Sequence, residues 1–192
     1  KEHYCNKMKT LQECDFVTAA NLLGCDVAAV KAVKEVESRG NGFQADGQPV
    51  ILFERHKFHT FTKGKYDKSH PNISNSKPGG YGASSTQHAR LQEAVKLDRD
   101  SALMSASWGL FQVMGFNWKD LGYKDLQQFI TAMYSSETEQ LMAFVRFVKA
   151  NGLADELKRK DWAGFARGYN GSNYKINNYD VKLANAYKKF SK

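Results

Sequence analysis

Hydrophobic and polar positions near the start of the chain recur with the spacing of amphipathic helices. Thr10 and Glu13 fit a capping box ahead of an apolar face, and Gly24 is placed to end that first helix. Asp26 can cap a second helix, which we expect to run to Ser38. Two consecutive helices are therefore predicted to open the chain.

The pattern changes after the turn signal Asp46-Gly47. The range 49–62 is rich in Val, Ile, Phe and Thr, and predicts an extended segment that forms a small hairpin or part of a sheet. The range 63–85 contains two prolines and a Gly-Gly pair, and predicts a long polar loop. Loops of this length in compact domains are often functional.

Helical spacing returns near Thr86 and continues to the end of the chain. Predicted helices cover 86–97, 125–133, 136–148, 161–169 and 180–190, with a shorter apolar stretch at 102–114. The predicted fold class is α+β and mainly α-helical, with a small early β element. We expect a single domain over residues 10–192 and interpret residues 1–9 as an N-terminal tail or tag remnant.

Glu37 and Glu35 are neighbours in sequence but are predicted to lie on different faces of the second helix. At about 100° per residue, Glu37 falls roughly 20° from Val30 and shares an apolar stripe with it and with Val33. Glu35 projects to the far side as a solvated charge. Burial raises the pKa of a carboxyl. A carboxyl that is still protonated near neutral pH can act as a general acid. Pairing of Glu37 with Arg39 or with a nearby lysine is the structural alternative.

The composition is that of a folded, basic protein, with 42% hydrophobic residues, 12% aromatic residues and a net charge of +8. The pI near 9.3 predicts an acidic partner, either nucleic acid or an anionic bacterial envelope. Because no aromatic-basic motif is visible, we expect no specific nucleic acid partner. No transmembrane run or secretory signal is visible, which favours synthesis in the cytoplasm. The chain does not begin with Met, so a trimmed leader or a lost upstream module stays open.

Cysteine and histidine spacing predicts neither a disulfide framework nor a metal site. Cys5, Cys14 and Cys25 are odd in number, lie near one end and lack CxxC spacing, which favours a reducing compartment. His56 and His59 have HxxH spacing, but in an extended segment their side chains would lie on opposite faces. We therefore expect no metal and no cofactor.

Three short motifs follow one another in an order that resembles one superfamily of enzymes. Glu37-Ser38 ends an early helix, a Gly-Leu-Phe-Gln segment spans 109–112, and Tyr169-Asn170 comes late in the chain. The lysozyme-like superfamily, with its goose-type lysozymes and soluble lytic transglycosylases, shares a Glu-Ser helix end, a Gly-Leu-x-Gln segment and a late Tyr-Asn. The ordered set is more specific than any one motif, and the resemblance implies a lysozyme-like fold.

Longer segments narrow this resemblance to the N-acetylmuramidase family of phage and prophage endolysins. The segments that carry it are 48–56, 78–82 and 105–112, and it extends over nearly the whole chain. The resemblance implies a monomeric muramidase, made in the host cytoplasm, that acts on peptidoglycan in the periplasm after release. It would cleave the bond between N-acetylmuramic acid and N-acetylglucosamine.

Two carboxylates are candidates for glycoside cleavage, which needs a proton on the departing oxygen and stabilisation of an oxocarbenium-like centre. Glu37 is the candidate acid. Glu54 follows the predicted extended segment, which in a lysozyme-like cleft forms the β wall facing the acid, and is the candidate base or charge stabiliser. An ion pair of Glu54 with Arg55 or His56 is equally open, and Asp46 is a weaker candidate on a turn. Two positioned carboxylates would indicate hydrolysis, whereas a lone acid would indicate a lytic transglycosylase that forms an anhydro sugar.

The resemblance also supplies candidate substrate-binding residues. They are Ser38, Tyr81, Gly109, Gln112, Tyr169 and Asn170. Gln112 and the backbone at Gly109 would line the cleft, where an amide can donate to and accept from sugar groups. Tyr169 would hold the acid through its hydroxyl or touch an N-acetyl group, and Tyr81 would stack on a sugar ring. The structural alternatives are core packing around Gln112, a helix-ending turn at Asn170 and a plain turn near Tyr81.

The final predicted helix is amphipathic and basic. Its apolar side carries Leu183, Tyr187 and Phe190, and its other faces carry Lys182, Lys188, Lys189 and Lys192. The simpler interpretation is a surface helix with a solvated basic face, and the alternative is contact with anionic lipopolysaccharide or a membrane surface. For the whole protein, the alternatives to an endolysin are a lytic transglycosylase, an effector delivered into rival bacteria and a non-catalytic cell-wall-binding domain.

Overall fold

The computed structural model describes residues 9–192, and in this range the chain is mainly helical with one small sheet. The predicted N-terminal tail, apart from Lys9, lies outside the described residues. The α-helices in the described range are α1 Glu13–Leu23, α2 Val27–Glu37, α3 Arg55–Phe61, α4 Gln87–Leu97, α5 Arg99–Met104, α6 Leu126–Ser135, α7 Glu137–Ala150, α8 Ala154–Arg159, α9 Trp162–Asn170 and α10 Tyr179–Phe190. The predicted fold class, mainly helical α+β with a small sheet, is confirmed.

Three short strands form an antiparallel sheet in the order β1-β2-β3. They are β1 Ile51–Phe53, β2 Ala106–Trp108 and β3 Val113–Met114. Ile51 pairs with Trp108 and Phe53 with Ala106, so the early strand is completed by strands from the middle of the chain. The sheet therefore brings the segment after α2 next to the turn at 109–112.

The extended segment predicted for 49–62 is wrong beyond Phe53, because the chain turns into α3 at Arg55. Phe58 is fully buried on that helix, with its ring 5.9 Å from those of both Phe53 and Tyr66. Burial of Phe58 between these rings outweighs the local β propensity of the segment.

Capping residues set most of the helix ends that the sequence predicted. Gly24 ends α1 in the left-handed conformation, with φ of 69°. The side chains of Asp125, Ser136 and Asp161 accept hydrogen bonds at the starts of α6, α7 and α9. The capping box of α1 was misplaced, since it is formed by Gln12 and Asp15 and not by Thr10 and Glu13.

Besides α3, the two short helices α5 and α8 were not predicted. The apolar stretch at 102–114 divides into the end of α5 and the strands β2 and β3, and α8 fills the predicted gap between α7 and α9. Both helices have six residues, too few for the periodicity of an amphipathic face to be read from the sequence.

The final helix α10 packs on α2, the helix that carries Glu37. Leu183 of α10 is fully buried, and Ala186 is nearly so. The hydroxyl of Tyr187 donates a 2.5 Å hydrogen bond to Asp26, directly before α2. The surface-helix interpretation is therefore correct for the exposed lysines, while the apolar side belongs to the core around α2.

The cysteine prediction was wrong for Cys14, which is disulfide-bonded. Cys25 is a free, half-buried thiol. Burial, together with the neighbouring charge of Asp26, raises the pKa of Cys25 to about 11, so this thiol stays protonated and unreactive near neutral pH.

None of the individual helices within residues 9–192 has the length and apolar character to cross a membrane. In this range, only α1 and α2 taken together have sufficient length and apolar character, and the chain bends by 106° between these two helices.

Candidate active site

Glu37 is the last residue of α2, where the helix leaves the core. Val30 and Val33 on the same face are buried, with 2% and 0% of their surface exposed, and Glu37 is half-buried. Burial raises the pKa of the Glu37 carboxyl above its ordinary value, and a hydrogen bond from Asn170 and the charge of Lys182 offset part of that effect. The predicted apolar stripe is present, and it yields a carboxyl that keeps its proton to higher pH.

Glu35 has the contrasting surroundings that the helical spacing predicted. It is exposed, and its carboxylate pairs with Nζ of Lys189 from α10 at 2.5 Å. An exposed ion pair of this kind contributes little to stability and has no need of a protonated carboxyl. Of the two neighbouring glutamates, only Glu37 has the burial that general acid chemistry requires.

Asn170 ends α9 and joins this late helix to the acid. Its side-chain Nδ2 donates a hydrogen bond of 2.8 Å to Oε1 of Glu37. The preceding residue, Tyr169, is held by its ring, which stacks on Phe165 with the centroids 5.6 Å apart and meets Phe144 edge-on. Because this packing fixes the end of α9, the amide of Asn170 is aimed at the carboxyl before any substrate binds.

The phenol of Tyr169 interacts electrostatically with the carboxylate of Glu37. Burial and the carboxylate of Glu37 both raise the pKa of Tyr169, so the hydroxyl stays protonated throughout the physiological range. The sequence suggested that this hydroxyl holds the acid, but the described hydrogen bond to Glu37 comes from Asn170. Tyr169 instead forms part of the wall of a cavity.

Gln112 lies in the tight turn between β2 and β3 with a left-handed backbone, φ of 53°. Its Nε2 donates to the carbonyl oxygens of Val50 at 3.2 Å and Gly109 at 2.9 Å, and its Oε1 accepts from the hydroxyl of Ser107 at 2.9 Å. Both amide hydrogens are therefore used inside the protein. Gln112 shares with Tyr169 the lining of a cavity of about 470 Å³, where its remaining capacity is as an acceptor.

Gly109 has no side chain for a steric reason that the sequence does not show. Its φ is 74°, and a Cβ here would lie 2.5 Å from Cδ of Gln140. Gln140 is 1% exposed, and its Oε1 accepts from the backbone N–H of Leu110 at 2.8 Å. Its Nε2 donates to the carbonyls of Gly42 at 3.2 Å and Met133 at 2.9 Å. One buried amide thus fastens three separate segments.

Glu137, three residues before Gln140 on α7, completes this fastening. It is 7% exposed, and its carboxylate accepts from the backbone N–H of Gly42 at 2.7 Å and of Leu11 at 3.2 Å. We name Glu137 and Gln140 the α7 clamp. Neither residue was predicted from the sequence, although two polar positions on an otherwise apolar helix face were a usable signal.

A second cavity, of about 700 Å³, opens along the loop that follows α2. Arg39, Asp46 and Val50 contribute to one side of it and Ser84 and Ser85 to another. Val50 lines this cavity, and its carbonyl accepts from Gln112, which lines the 470 Å³ cavity, so residues of the two linings are hydrogen-bonded to each other. We name the two cavities together the cleft.

Asp46 is the carboxylate that lines the cleft. The backbone N–H of Gln48 and the side-chain amide of Gln44 donate to it at 2.9 Å and 3.0 Å. These hydrogen bonds lower the pKa of Asp46, so its carboxylate is charged where Glu37 still holds its proton. The turn prediction for Asp46 is correct, and the turn presents the charge to the cavity.

Glu54 lies directly before α3 and is half-buried. Its Oε2 is 3.5 Å from Nε2 of His56. Arg55, the other proposed partner, instead donates to the carbonyls of Lys77 and Pro78 in the long loop. The structural alternative for Glu54 therefore involves His56 alone.

Ser38 and Tyr81 lie at the edges of this region. The hydroxyl oxygen of Ser38 accepts from the backbone N–H of Gly40 at 3.2 Å, which turns the chain away from α2. The carbonyl of Tyr81 accepts from Gln87 and from the buried guanidinium of Arg90, both at 2.7 Å. These bonds fix the long loop beside the sheet and leave the Tyr81 ring half-buried.

Metal ligands are not assembled anywhere in the range 9–192, where no group of three or more His, Cys, Asp or Glu side chains could hold an ion. The HxxH histidines lie on α3. Nδ1 of His59 is 2.6 Å from the carboxylate of Asp67, which also accepts from the hydroxyl of Ser74. His59 therefore anchors the long loop to α3.

Comparisons with known proteins identify the family of this chain. A family model described as N-acetylmuramidase matches residues 26–191. The crystal structure of Burkholderia AP3 phage endolysin is 47% identical and superimposes with a TM-score of 0.89, covering 95% of this chain and 71% of that one. A search of curated proteins gave no match. The chain therefore belongs to the N-acetylmuramidase family and is a peptidoglycan-hydrolysing glycosidase with a lysozyme-like fold.

Proposed function

We propose that Glu37 is the general acid of this muramidase and that the enzyme cleaves the bond between N-acetylmuramic acid and N-acetylglucosamine. The observation that carries the proposal is the half-buried carboxyl at the end of α2, whose pKa burial raises and which Asn170 holds in place. A carboxyl that is protonated at the working pH can give its proton to the departing glycosidic oxygen. The amide of Asn170 then stabilises the carboxylate that is left.

The glycan strand would lie along the cleft. Tyr169, whose pKa the charge of Glu37 raises, lines the 470 Å³ cavity, and Arg39, two residues after the acid, lines the 700 Å³ cavity. A strand that occupied both cavities would therefore lie near Glu37. In this arrangement Tyr169 contacts a sugar or its N-acetyl group. Gln112 shapes the wall of the 470 Å³ cavity through its internal hydrogen bonds and accepts a further hydrogen bond from the substrate. Gly109 allows the close approach of the α7 clamp that holds this wall. Tyr81 remains a candidate for stacking on a sugar ring.

The second carboxylate of the reaction is better matched by Asp46 than by Glu54. Asp46 lines the cleft and keeps its charge because backbone and amide donors satisfy it. Such a carboxylate can activate a water molecule or stabilise the oxocarbenium-like centre. Glu54 stays in the proposal as the alternative, with His56 as its neighbour.

A lytic transglycosylase, which needs a single acid and forms an anhydro sugar, is the second candidate activity. Of the two proposed carboxylates, only Glu37 has a raised pKa and a hydrogen bond from Asn170, so it could act without Asp46. Mass spectrometry of digested peptidoglycan separates the two. Reducing muramic acid ends support hydrolysis as proposed, whereas anhydro-muramic ends would identify the transglycosylase and reducing glucosamine ends would exclude a muramidase bond preference.

The acid assignment is tested by Glu37→Gln, which keeps the shape and removes the proton. We expect at least a hundredfold loss of lytic rate, about the smallest contribution of general acid catalysis. Glu139→Gln on the exposed side of α7 is the matched control and should lyse walls like the wild type. Full activity of Glu37→Gln would overturn the assignment.

We further propose that the protein acts as a monomer in host lysis, reaching the wall from the cytoplasm. The net charge of +8 supports attraction to the anionic envelope, and no specific nucleic acid partner is part of the proposal. Residues 10–192 would form one catalytic domain. The mass of the protein in solution, measured by light scattering, tests the monomer.

A further inference from the structure

A further cavity, of about 650 Å³, lies on the face of α2 that points away from Val30 and Val33. Lys31, Lys34 and Glu35 of α2 line it, and their spacing of three and four residues places them on one helix face, with Ser38 directly after the helix. Phe16 of α1 and Phe190 of α10 contribute rings from the neighbouring helices. We name this space the back cavity.

The charges of the back cavity are not balanced. Its two carboxylates are already paired, Glu13 with Lys31 at 2.7 Å and Glu35 with Lys189 at 2.5 Å. Lys34 and Arg39 also line the cavity, and within residues 9–192 neither has a carboxylate partner. The cavity therefore offers two unpaired cations beside two aromatic rings, which suits a ligand with carboxylates and small apolar groups.

Arg39 connects the back cavity to the cleft, because it lines both. Anything attached to a glycan in the cleft near this residue can turn into the back cavity. A peptide spans at most about 3.3–3.6 Å per residue, so four residues reach roughly 13 Å. A short peptide attached to a sugar beside Arg39 would start at the residue that the two cavities share, and Lys34 lines the back cavity with Arg39.

We propose that the back cavity binds the acidic peptide stem of a muramic acid residue held in the cleft, with Lys34 pairing with a stem carboxylate. The proposal rests on the proposed function, since the stem is attached to the sugar whose bond is cleaved. Stem glutamate and diaminopimelate residues carry free carboxylates that match Lys34 and Arg39. The alanine methyl groups of the stem match the rings of Phe16 and Phe190.

The test compares Lys34→Gln with the wild type on two substrates: stem-bearing peptidoglycan and the same glycan strands after an amidase has removed the stems. The control is Lys149→Gln, an exposed lysine of α7 outside the back cavity. We expect Lys34→Gln to lower kcat/KM roughly three- to tenfold on stem-bearing strands. This is about the effect of losing one ion pair or charge-assisted hydrogen bond at a partly exposed site. On stem-free strands it should match the control.

A chemical variant of the stem makes the test specific for charge. This third substrate is peptidoglycan in which the α-carboxylate of the stem glutamate is amidated. If that carboxylate pairs with Lys34, the difference in kcat/KM between Lys34→Gln and the wild type should shrink on this substrate. If the diaminopimelate carboxylate pairs with Lys34, the difference should persist. Binding of a free stem tetrapeptide to Glu37→Gln protein, followed by NMR, should perturb the resonances of Phe16 and Phe190.

Several results would overturn the inference. An equal loss on stem-bearing and stem-free strands would mean that Lys34 acts on the glycan or on folding, and no loss on either would mean that the back cavity binds no stem. Absence of tetrapeptide perturbations at Phe16 and Phe190 would count against it in the same way. If the wild type cleaved neither substrate, the proposed function itself would fail, so the two failures are distinguishable.

Discussion

The side-chain amide of Asn170 donates a 2.8 Å hydrogen bond to the carboxylate of Glu37, across 133 positions of sequence. This bond works against the effect of burial, because it stabilises the charged form that burial disfavours. Asn170 is therefore placed both to orient the acid and to limit how far its pKa rises. The ring packing of Tyr169 fixes the end of α9 from which this amide extends.

Replacement of Asn170 with Ala should move the basic limb of the pH–activity profile to higher pH. The pKa of Glu37 rises further once the hydrogen bond is lost, so the acid keeps its proton longer. The maximal rate should fall by about tenfold or more, because the carboxyl is no longer held toward the glycosidic oxygen. The measurement is kcat/KM against pH with a soluble glycan, and exposed Asn173→Ala is the control. A limb that stays in place would contradict the role assigned to Asn170.

Replacement of Glu37 with Gln should stabilise the protein at neutral and alkaline pH. The folded-state pKa of Glu37 is raised, so the folded state binds more protons than the unfolded state and stability falls as pH rises through the window between the two pKa values. Glutamine carries no such penalty. Thermal unfolding should show a higher Tm for Glu37→Gln at pH 8 and a smaller difference at pH 4. A variant that is less stable than the wild type at pH 8 would show that burial of the charge is not costly.

The choice between Asp46 and Glu54 is testable with paired amide variants. We expect Asp46→Asn to reduce cleavage by about a hundredfold, because its charge faces the cleft, with only a small fall in Tm from the weakened hydrogen bonds of Gln44 and Gln48. We expect Glu54→Gln to lose less activity, together with a small fall in Tm from the lost contact with His56. Activities and unfolding temperatures measured side by side give the answer, and a reversed order would return the second role to Glu54.

Removal of the α7 clamp should destabilise the protein strongly. Gln140→Ala leaves the N–H of Leu110 and the carbonyls of Gly42 and Met133 without partners, and each buried unsatisfied group costs about 1–3 kcal/mol. We expect the free energy of unfolding to fall by at least about 2 kcal/mol in urea titrations. Gln92→Ala, an exposed glutamine on α4, should change it by less than about 0.5 kcal/mol. Comparable stability of the two variants would mean that the clamp hydrogen bonds are easily replaced by water.

Contact of α10 with the envelope is best tested with two of its lysines only. Lys189 pairs with Glu35 and Lys182 influences Glu37, so changing them would also alter the fold or the acid. Lys188 and Lys192 are exposed, and their double replacement by Gln should reduce lysis of intact, outer-membrane-bearing cells while stripped peptidoglycan is cleaved normally. Lys149→Gln and Lys158→Gln together keep the total charge matched. Equal activity on both substrates would leave α10 with only its packing role on α2.

Local signals in the sequence determined most helices and the candidate acid. Apolar spacing and capping residues act over a few neighbours, so α2, its end near Glu37 and the caps at Asp125, Ser136 and Asp161 could be predicted without knowledge of the fold. The ordered motifs then identified the family, which the match over residues 26–191 confirms.

Tertiary structure alone decided which side chains meet. Asn170 reaches Glu37 and Gln140 meets Gly109, and both contacts are set by packing between segments far apart in the chain. The same packing turned the β-prone residues after Phe53 into α3, because burial of Phe58 outweighs a local preference of under about 1 kcal/mol. Periodicity can place a residue on a face, but what lies opposite that face depends on the whole fold.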